Sequence, residues 1–255
     1  MRVFDTQEPQ EPEPPMKAAL ALIFLLPFAA LAETPVPKLG PDAVPITADN
    51  AFLRQSPAPD YWAFSPFVKP QFTTSACSVA SVTAALNGLA GLPALSADAV
   101  MTQPAMLERA ASREWAALSA EGGAGVKFQQ LVDFTSLALA ARGMGQKVTP
   151  FKPTGETDLA ALRALLTANE VSAQDALLLY FNQGVVTGDW DGPHVSLIGA
   201  YDAEQDRVLV LEVDQEWYVP YWTPVPVLLA AMLKPTSAEH GVLQGETGGL
   251  VHIHP

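Results

Sequence analysis

The chain has 255 residues, with 14 lysine and arginine residues against 27 aspartate and glutamate residues, so its formal net charge is −13 at pH 7. This acidic balance argues against nucleic acid and anionic membrane surfaces as partners, because both bind clusters of positive charge. The chain contains a single cysteine, Cys77, and therefore cannot form a disulfide within itself.

The beginning of the chain has the pattern of a secretion signal. Met16 and Lys17 precede an apolar, alanine-rich run that ends at Ala32 in an Ala-x-Ala cleavage pattern. The run is short for a membrane span, and an uncleaved N-terminal anchor is the alternative. We expect residues 16–32 to be a signal peptide and residues 1–15 to come from an upstream start codon. The mature protein is then exported to the periplasm or secreted, without stable insertion in a membrane.

A proline-rich segment follows, and after it comes the helix that contains the cysteine. The prolines of residues 33–60 and the lack of regular apolar spacing indicate an irregular arm. From Cys77 to Leu89 apolar residues recur at helical spacing, and the hydroxyl residues 73–75 can cap the helix. A thiol at a helix N-terminus lies against the positive end of the dipole, which favours the thiolate. The alternative is a cysteine buried in the core.

Beyond this helix, helical segments come first and most strands come later. Helices are predicted over residues 104–119, 128–142 and 158–166, with a glycine-rich break at residues 122–125. Strands are predicted over residues 147–151, 176–181, 194–201 and 207–213. This order is typical of an α+β domain. Residues 237–255 are predicted to form a C-terminal tail.

A thiol nucleophile requires a base, and the chain offers four histidines. His194 begins an apolar strand after the loop of residues 188–193, a position suited to the edge of a cleft. His240, His252 and His254 lie near the C-terminus, where two histidines without a fixed third ligand do not indicate a metal site. We therefore take His194 as the candidate base, and a histidine with only a structural role at the strand end is the alternative.

The base must be oriented, and the oxyanion of the reaction must be stabilised. Glu212 or Asp214, on the neighbouring strand, can accept a hydrogen bond from the imidazole of His194. The side-chain amide of Gln71 and the backbone N–H of Cys77 are candidate donors to an oxyanion. The order along the chain is glutamine, cysteine, histidine and carboxylate, which is the order found in papain-like thiol enzymes.

Longer stretches of the chain resemble the catalytic domain of phytochelatin synthases. The resemblance extends from about residue 60 to about residue 235, and we assign the catalytic domain to residues 61–236. Its most specific parts are a histidine hairpin and a Tyr-x-Pro-x-Trp segment. The matching stretches are residues 71–87, 125–128, 145–151, 194–207 and 218–232.

The resemblance implies a papain-like fold, with a helical N-terminal half that carries the nucleophile and an antiparallel sheet in the C-terminal half. It implies a γ-glutamylcysteine dipeptidyl transferase or peptidase that cleaves the Cys–Gly bond of glutathione, or of a related γ-glutamyl thiol peptide, through a thioester on Cys77. His194 is then the general base, Gln71 an oxyanion donor and Glu212 the orienting residue. Hydrolysis is expected to dominate over transfer to a second glutathione, which would make phytochelatin.

The resemblance implies no required cofactor and leaves activation by zinc or cadmium, bound as the glutathione thiolate, open. The chain also departs from the family pattern. Glu212 stands where the family has an aspartate, so Asp214 remains the alternative residue for orienting His194. Three further positions differ: a frequent tyrosine is replaced by Ala76, a glycine by Pro193 and a basic residue by Gln215. Two other functions stay open: a papain-like hydrolase of another small peptide or amide, and a non-catalytic protein that binds thiol peptides or metal.

Overall fold

A seven-stranded antiparallel sheet forms the centre of the part of the chain that the computed structural model describes, residues 37–255. The predicted signal peptide lies outside these residues. In the order in which they lie side by side, the strands are β1, β6, β5, β4, β3, β7 and β2, and all neighbours are antiparallel. Their bounds are β1 Val44–Pro45, β2 Lys147–Phe151, β3 Ala176–Asn182, β4 Pro193–Asp202, β5 Arg207–Leu211, β6 Tyr221–Pro224 and β7 Gly249–His254.

Helices cover both faces of this sheet. They are α1 Ala51–Gln55, α2 Pro59–Phe64, α3 Cys77–Ala90, α4 Gln103–Ala110, α5 Arg113–Leu118, α6 Phe128–Arg142, α7 Leu159–Asn169, α8 Gln183–Thr187 and α9 Val225–Leu233. The single helix predicted over residues 104–119 is wrong: the backbone of Ala111 is left-handed, with φ 52°, and the hydroxyl of Ser112 caps a new helix by accepting the N–H of Trp115. Within residues 37–255, no helix is both long enough and apolar enough to cross a membrane.

Two apolar cores lie on opposite faces of the sheet. Side chains alternate along a strand, so in β3 Leu178 joins the core with α3 and α6, whereas Leu177 and Leu179 join the core with α7 and α9. All seven residues of β3 are buried, because both faces of the strand are covered. An unbroken apolar run is therefore the correct sequence pattern for this strand.

The packing of α3 against β4 brings the predicted nucleophile and base together. Ser81, one turn after Cys77, donates its hydroxyl to the backbone carbonyl of Val195 at 3.1 Å. Val195 is the residue that follows His194. The hydrogen bond fixes the start of the helix beside the start of the strand, so Cys77 and His194 lie at the same end of the sheet.

The segment expected to be an irregular arm folds onto the sheet. β1 pairs with β6, with Val44 opposite Trp222, and the Trp222 indole donates to the carbonyl of Asp49 at 2.9 Å. Leu53 of α1 is buried. Among the prolines that suggested irregular structure, Pro45 lies in the edge strand β1 and Pro59 begins α2, both positions that proline tolerates.

The C-terminal segment differs most from its expectation as a tail. β7 lies between β3 and the edge strand β2, pairs with both of them, and its Leu250, Val251 and Ile253 are fully buried. The strand is short and contains two histidines, so it lacks the apolar pattern that marks β3. Residues 249–254 complete the sheet.

Candidate active site

Cys77 is the first residue of α3 and lies half-buried at the wall of a cleft of about 720 Å³. The expected hydroxyl cap of this helix is absent. Thr73 and Ser75 donate their hydroxyls to the carbonyls of Ser119 and Gly123, each at 2.6 Å. Because the N–H groups of a first helical turn have no partner within the helix, those at Cys77 remain open to a negatively charged ligand.

His194, the second residue of β4, is almost fully buried beside Cys77 and lines the same cleft. Its Nε2 lies 2.6 Å from Oε1 of Glu212, and the thiol of Cys77 interacts with the same ring. Burial alone would lower the pKa of His194. The charge of Glu212 and the interaction of the imidazole ring with Cys77 outweigh burial and raise this pKa well above its ordinary value. A cationic His194 stabilises a thiolate on Cys77.

Glu212 follows β5 directly and has no exposed surface. Burial alone would raise its pKa, but the charge and hydrogen bond of His194 and two backbone N–H groups hold the pKa below the ordinary value. Gln183 donates to Oε2 at 3.2 Å, and the N–H of Asp214 donates to Oε1 at 2.7 Å. The carboxylate is therefore held in one orientation as an anion.

Asp214, the alternative orienting residue, makes no hydrogen bond to His194 within the described residues. Its carboxylate accepts a long bond from Nε2 of Gln71 at 3.4 Å, while its backbone supports Glu212. Burial raises the pKa of Asp214. The structure thus places Glu212 against the imidazole and Asp214 at the cleft wall.

Gln71 lines the cleft beside Cys77, and its backbone N–H donates to the carbonyl of Val213 at 2.8 Å. Within residues 37–255, the side-chain Nε2 makes only long bonds, to Asp214 and to the carbonyl of Thr74 at 3.5 Å. Since these bonds are near the limit for hydrogen bonding, the amide can turn toward an oxyanion at low cost.

Gln183 is a site residue that sequence reasoning missed. It begins α8 immediately after β3, has no exposed surface and donates a hydrogen bond to Oε2 of Glu212, the carboxylate oxygen that does not face His194. The one sequence signal is a polar Asn182-Gln183 pair at the end of an apolar strand, a place where side chains often turn toward a site. A fixed amide beside the carboxylate limits the rotation of Glu212.

The positions that depart from the family pattern also lie in this region. Ala76 is fully buried, and Pro193 and Gln215 line the cleft. The amide of Gln215 donates to the carbonyl of Glu212 at 3.0 Å, so this side chain supports the loop that carries the carboxylate.

The other three histidines lie outside the cleft lining. Nε2 of His240 contacts the carbonyl of Asp191 at 2.7 Å, and Nε2 of His252 contacts the carboxylate of Asp175 at 2.8 Å. His254 contacts the hydroxyl of Thr149. In the described part of the chain, no group of three or more His, Cys, Asp or Glu side chains is arranged to hold a metal ion.

Known proteins resemble part of this chain. Glutathione gamma-glutamylcysteinyltransferase 1 of Arabidopsis thaliana is 30% identical over 101 residues, which are 40% of this chain and 20% of the relative. Glutathione gamma-glutamylcysteinyltransferase 3 of Lotus japonicus is 31% identical over 103 residues, 40% of this chain and 21% of the relative. Glutathione gamma-glutamylcysteinyltransferase 1 of Triticum aestivum is 31% identical over 114 residues, 45% and 22% of the two chains.

The matched segments span about a fifth of the length of these curated relatives. A family model described as phytochelatin synthase matches residues 46–240, which is most of the chain. The match confirms the resemblance drawn from the sequence. Together with the helices and the antiparallel sheet, it confirms the predicted α+β, papain-like fold class. This chain belongs to the phytochelatin synthase family.

Proposed function

We propose that this protein is a γ-glutamylcysteine dipeptidyl transferase and peptidase that cleaves the Cys–Gly bond of glutathione through a thioester on Cys77. One observation carries the proposal: a buried ion pair of His194 and Glu212 lies beside a cysteine at the open N-terminus of α3. The names of the relatives support glutathione as the substrate. The cleft volume of about 720 Å³ suits a small peptide.

In the first half of the reaction, the thiolate of Cys77 attacks the carbonyl carbon of the Cys–Gly peptide bond. The electron pair of the C=O bond moves to its oxygen, where the N–H of Cys77 and the amide of Gln71 stabilise the negative charge. The carbonyl re-forms as the C–N bond breaks, and the cationic His194 gives its proton to the glycine nitrogen. Glycine leaves, and the γ-glutamylcysteinyl group remains on Sγ as a thioester.

In the second half, the now neutral His194 accepts a proton from the group that attacks the thioester. Attack by water gives γ-glutamylcysteine and restores the thiolate and imidazolium pair. Attack by the α-amino group of a second glutathione instead forms a new amide bond and gives (γ-Glu-Cys)₂-Gly. We propose that hydrolysis dominates and that transfer is the lesser outcome.

Glu212 acts through His194 in this scheme. Its carboxylate holds Nε2, which leaves Nδ1 as the ring nitrogen for the thiol and for the leaving group. The side chain is one methylene longer than an aspartate. Hydrogen bonds from Gln183 and from the N–H of Asp214 hold the carboxylate of this longer side chain in place.

The deciding experiment incubates purified protein with reduced glutathione and follows products by mass spectrometry, beside a Cys77→Ser variant. We expect γ-glutamylcysteine and glycine from the wild type, and a loss of at least about 10³-fold in the variant, since a serine hydroxyl stays protonated. A His240→Gln variant controls for histidine chemistry outside the cleft. Parallel incubations with zinc or cadmium test activation by the metal–glutathione thiolate, and (γ-Glu-Cys)₂-Gly would reveal transfer.

Intact glutathione after incubation with the wild type would overturn the proposal, and alkylation of Cys77 would then separate the two remaining functions. Fast reaction with iodoacetamide at pH 6–7 indicates a hydrolase of another small peptide or amide, because it reports a stabilised thiolate. Slow reaction at that pH indicates the non-catalytic binding protein.

We further propose that the protein acts outside the cytoplasm. The proposal rests on the apolar run and the Ala-x-Ala pattern that ends at Ala32. Cell fractionation and the intact mass of the native protein test it. A mature N-terminus at residue 33 in the exported fraction is the expected result, and a cytoplasmic protein that retains residues 16–32 would contradict it.

A further inference from the structure

Lys38 precedes the part of the chain that the family model covers, yet it lines the cleft that contains Cys77 and His194. The family match begins at residue 46, whereas Lys38 belongs to the segment before β1. A hydrogen bond from the N–H of Gly40 to the carbonyl of Thr187, at 2.6 Å, ties this segment to the end of α8. A residue from outside the common domain therefore contributes to the wall of the site.

The charge of Lys38 is unusual among its neighbours. Of the described residues that line the cleft, it is the only lysine or arginine. Four carboxylates line the same cleft: Glu121, Asp189, Asp214 and Glu216. Glutathione carries two carboxylates and one ammonium group. Since the imidazolium of His194 is already paired with Glu212, Lys38 is the cation of this acidic cleft that favours binding of a substrate carboxylate.

The side chain of Lys38 is held in place by its neighbours. Its Nζ lies 4.7 Å from the ring centre of Trp217 and 4.5 Å from that of Tyr218, which are cation–π contacts. Its carboxylate neighbour is Oδ2 of Asp189 at 3.5 Å. The other oxygen of Asp189 accepts hydroxyl bonds from Thr187 and Tyr218, each at 2.7 Å, so this carboxylate cannot turn away.

The ammonium group retains capacity to bind a ligand. It has three donor hydrogens, its ion pair with Asp189 is long, and half of its side-chain surface is exposed. Its charge also reaches the catalytic groups, because it acts to lower the pKa of Asp214, the neighbour of Gln71, against the larger raising effect of burial. Lys38 thus lines the same cleft as Cys77, the residue that attacks the scissile bond.

We propose that Lys38 binds a carboxylate of the γ-glutamyl peptide substrate and sets the preference of the site for it. This inference rests on the proposed function, because glutathione is the substrate that supplies the carboxylate. Lys38 contacts the substrate without taking part in proton transfer, so it determines affinity and leaves the chemical step to Cys77 and His194.

The test compares steady-state glutathione hydrolysis by the wild type and by Lys38→Gln. We expect KM to rise about fivefold to tenfold, the loss typical of one exposed, charge-assisted hydrogen bond, with kcat within about twofold. Lys38→Arg keeps the charge and should stay within about twofold of the wild type in KM. An unchanged KM in Lys38→Gln would overturn the inference.

A matched control is available in Lys152, whose Nζ also lies over an aromatic ring, that of Phe128 at 5.3 Å, but outside the cleft. Lys152→Gln removes one lysine charge from the protein and should leave KM and kcat unchanged. Thermal unfolding of the two Gln variants shows whether either is misfolded. An equal rise of KM in both variants would mean that overall charge, and not Lys38, is responsible, and would also overturn the inference.

Two analogues identify which carboxylate is bound: glutathione amidated at the glycine carboxylate, and glutathione amidated at the γ-glutamyl α-carboxylate. The analogue that lacks the bound carboxylate should give the same KM with the wild type and with Lys38→Gln. If both analogues remain as sensitive to the substitution as glutathione, carboxylate binding by Lys38 is refuted. Absence of wild-type turnover refutes the proposed function instead, so the two failures are distinguishable.

Discussion

Two carboxylates, Glu212 and Asp60, are equally hidden from solvent, yet their protonation is opposite. Neither has exposed surface. Glu212 faces His194, and its pKa lies below the ordinary value although burial acts to raise it. For Asp60, burial first and then the charges of Glu170 and Asp175 raise the pKa to about 9. Glu212 is therefore an anion at neutral pH, and Asp60 holds a proton.

The surroundings of Asp60 explain how a neutral acid fits there. The carboxyl lies in the first turn of α2 and contacts the amide of Asn169 at the end of α7. One oxygen of each group, Oδ1 of Asp60 and Oδ1 of Asn169, is buried without a hydrogen bond in the described structure. A proton on Asp60 removes the charge from this buried carboxyl group and gives it a hydrogen-bond donor as well as acceptors.

The difference shows that burial alone does not decide the charge of a carboxyl group. Burial penalises the anion at both places, and a cation within hydrogen-bonding distance reverses the outcome at only one of them. Glu212 therefore keeps a negative charge that can act on His194 during the reaction. Asp60, which has acidic residues as neighbours, stays protonated, and its contact with Asn169 links α2 to the end of α7.

The largest effect is expected from Glu212→Gln, which makes the site resemble the uncharged region. Glutamine can still accept a hydrogen bond, but without its charge the pKa of His194 falls and the imidazolium is lost near neutral pH. We expect kcat/KM for glutathione to fall by about 10²- to 10⁴-fold. The rate at which iodoacetamide alkylates Cys77 at pH 6–7 should also fall, because the imidazolium no longer stabilises the thiolate.

Asp214→Asn is the matched control for that variant, because Asp214 lies two residues away but makes no hydrogen bond to His194 in the described structure. Its activity should remain within about threefold of the wild type. An equal loss in both variants, or a mild effect of Glu212→Gln alone, would show that Glu212 does not orient the base. A large loss confined to Asp214→Asn would assign the orienting role to Asp214.

A third buried carboxylate, Asp202, tests whether the rule holds away from the site. Nε of Arg207 lies 3.1 Å from it, and Nη1 of the same residue lies 2.6 Å from Asp49. Arg207→Gln leaves Asp202 buried without a cation, and we expect a loss of about 3 kcal/mol in the free energy of unfolding at pH 7. Urea unfolding measures this change.

Arg163→Gln serves as the control for Arg207. Its partner Asp206 is partly exposed, and a pair in contact with water contributes little to stability. The loss should therefore be much smaller than for Arg207→Gln. If the free energy of unfolding falls equally in the two variants, burial of the carboxylate does not determine how much its cation contributes to stability.

A smaller catalytic effect is expected from Gln71→Ala, which leaves the ion pair of His194 and Glu212 intact. Removal of one oxyanion donor should lower kcat about 10- to 100-fold and change KM by less than about threefold, since the charge appears only in the transition state. Steady-state kinetics with glutathione separates the two constants. A rise in KM with an unchanged kcat would show that Gln71 binds the ground state.

The sequence predicted those elements whose pattern is local. Helical spacing from Cys77 to Leu89 marks α3, and the apolar run at residues 176–181 marks β3, both within a residue or two of their observed bounds. The cysteine and histidine were identifiable because a lone thiol and a strand-end histidine are distinctive. Glu212 and Asp214 could not be separated, because both follow β5 and only the fold shows which carboxylate meets the imidazole.

Features that depend on distant pairing were not predictable. β7 lies beside β3 and β2 although about 70 and 100 residues separate them along the chain, and its own six residues carry no strong strand pattern. Lys38 and Gln183 reach the cleft only because β1 and α8 dock where they do. In each case the information lies in tertiary packing, which a local pattern does not contain.

The smallest effect, and the most direct test of the uncharged region, is the pH dependence of stability in Asp60→Asn. The folded protein keeps a proton on Asp60 that the unfolded chain releases, since the pKa rises on folding from 3.8 to about 9. The free energy of unfolding must therefore decline as pH rises from about 4 to about 9. Asparagine has the same shape and no proton to lose, so the variant lacks this part of the slope.

Urea unfolding at pH 5 and pH 8 measures the difference. We expect Asp60→Asn to match the wild type more closely at pH 5 and to exceed its stability by on the order of 2 kcal/mol at pH 8. Asp158→Asn is the control, because that exposed carboxylate has a lowered pKa, owing to hydrogen bonds from Thr154, and adds no slope in this pH interval. If Asp60→Asn is instead less stable than the wild type at pH 8, Asp60 is an anion like Glu212, and the contrast between the two regions does not exist.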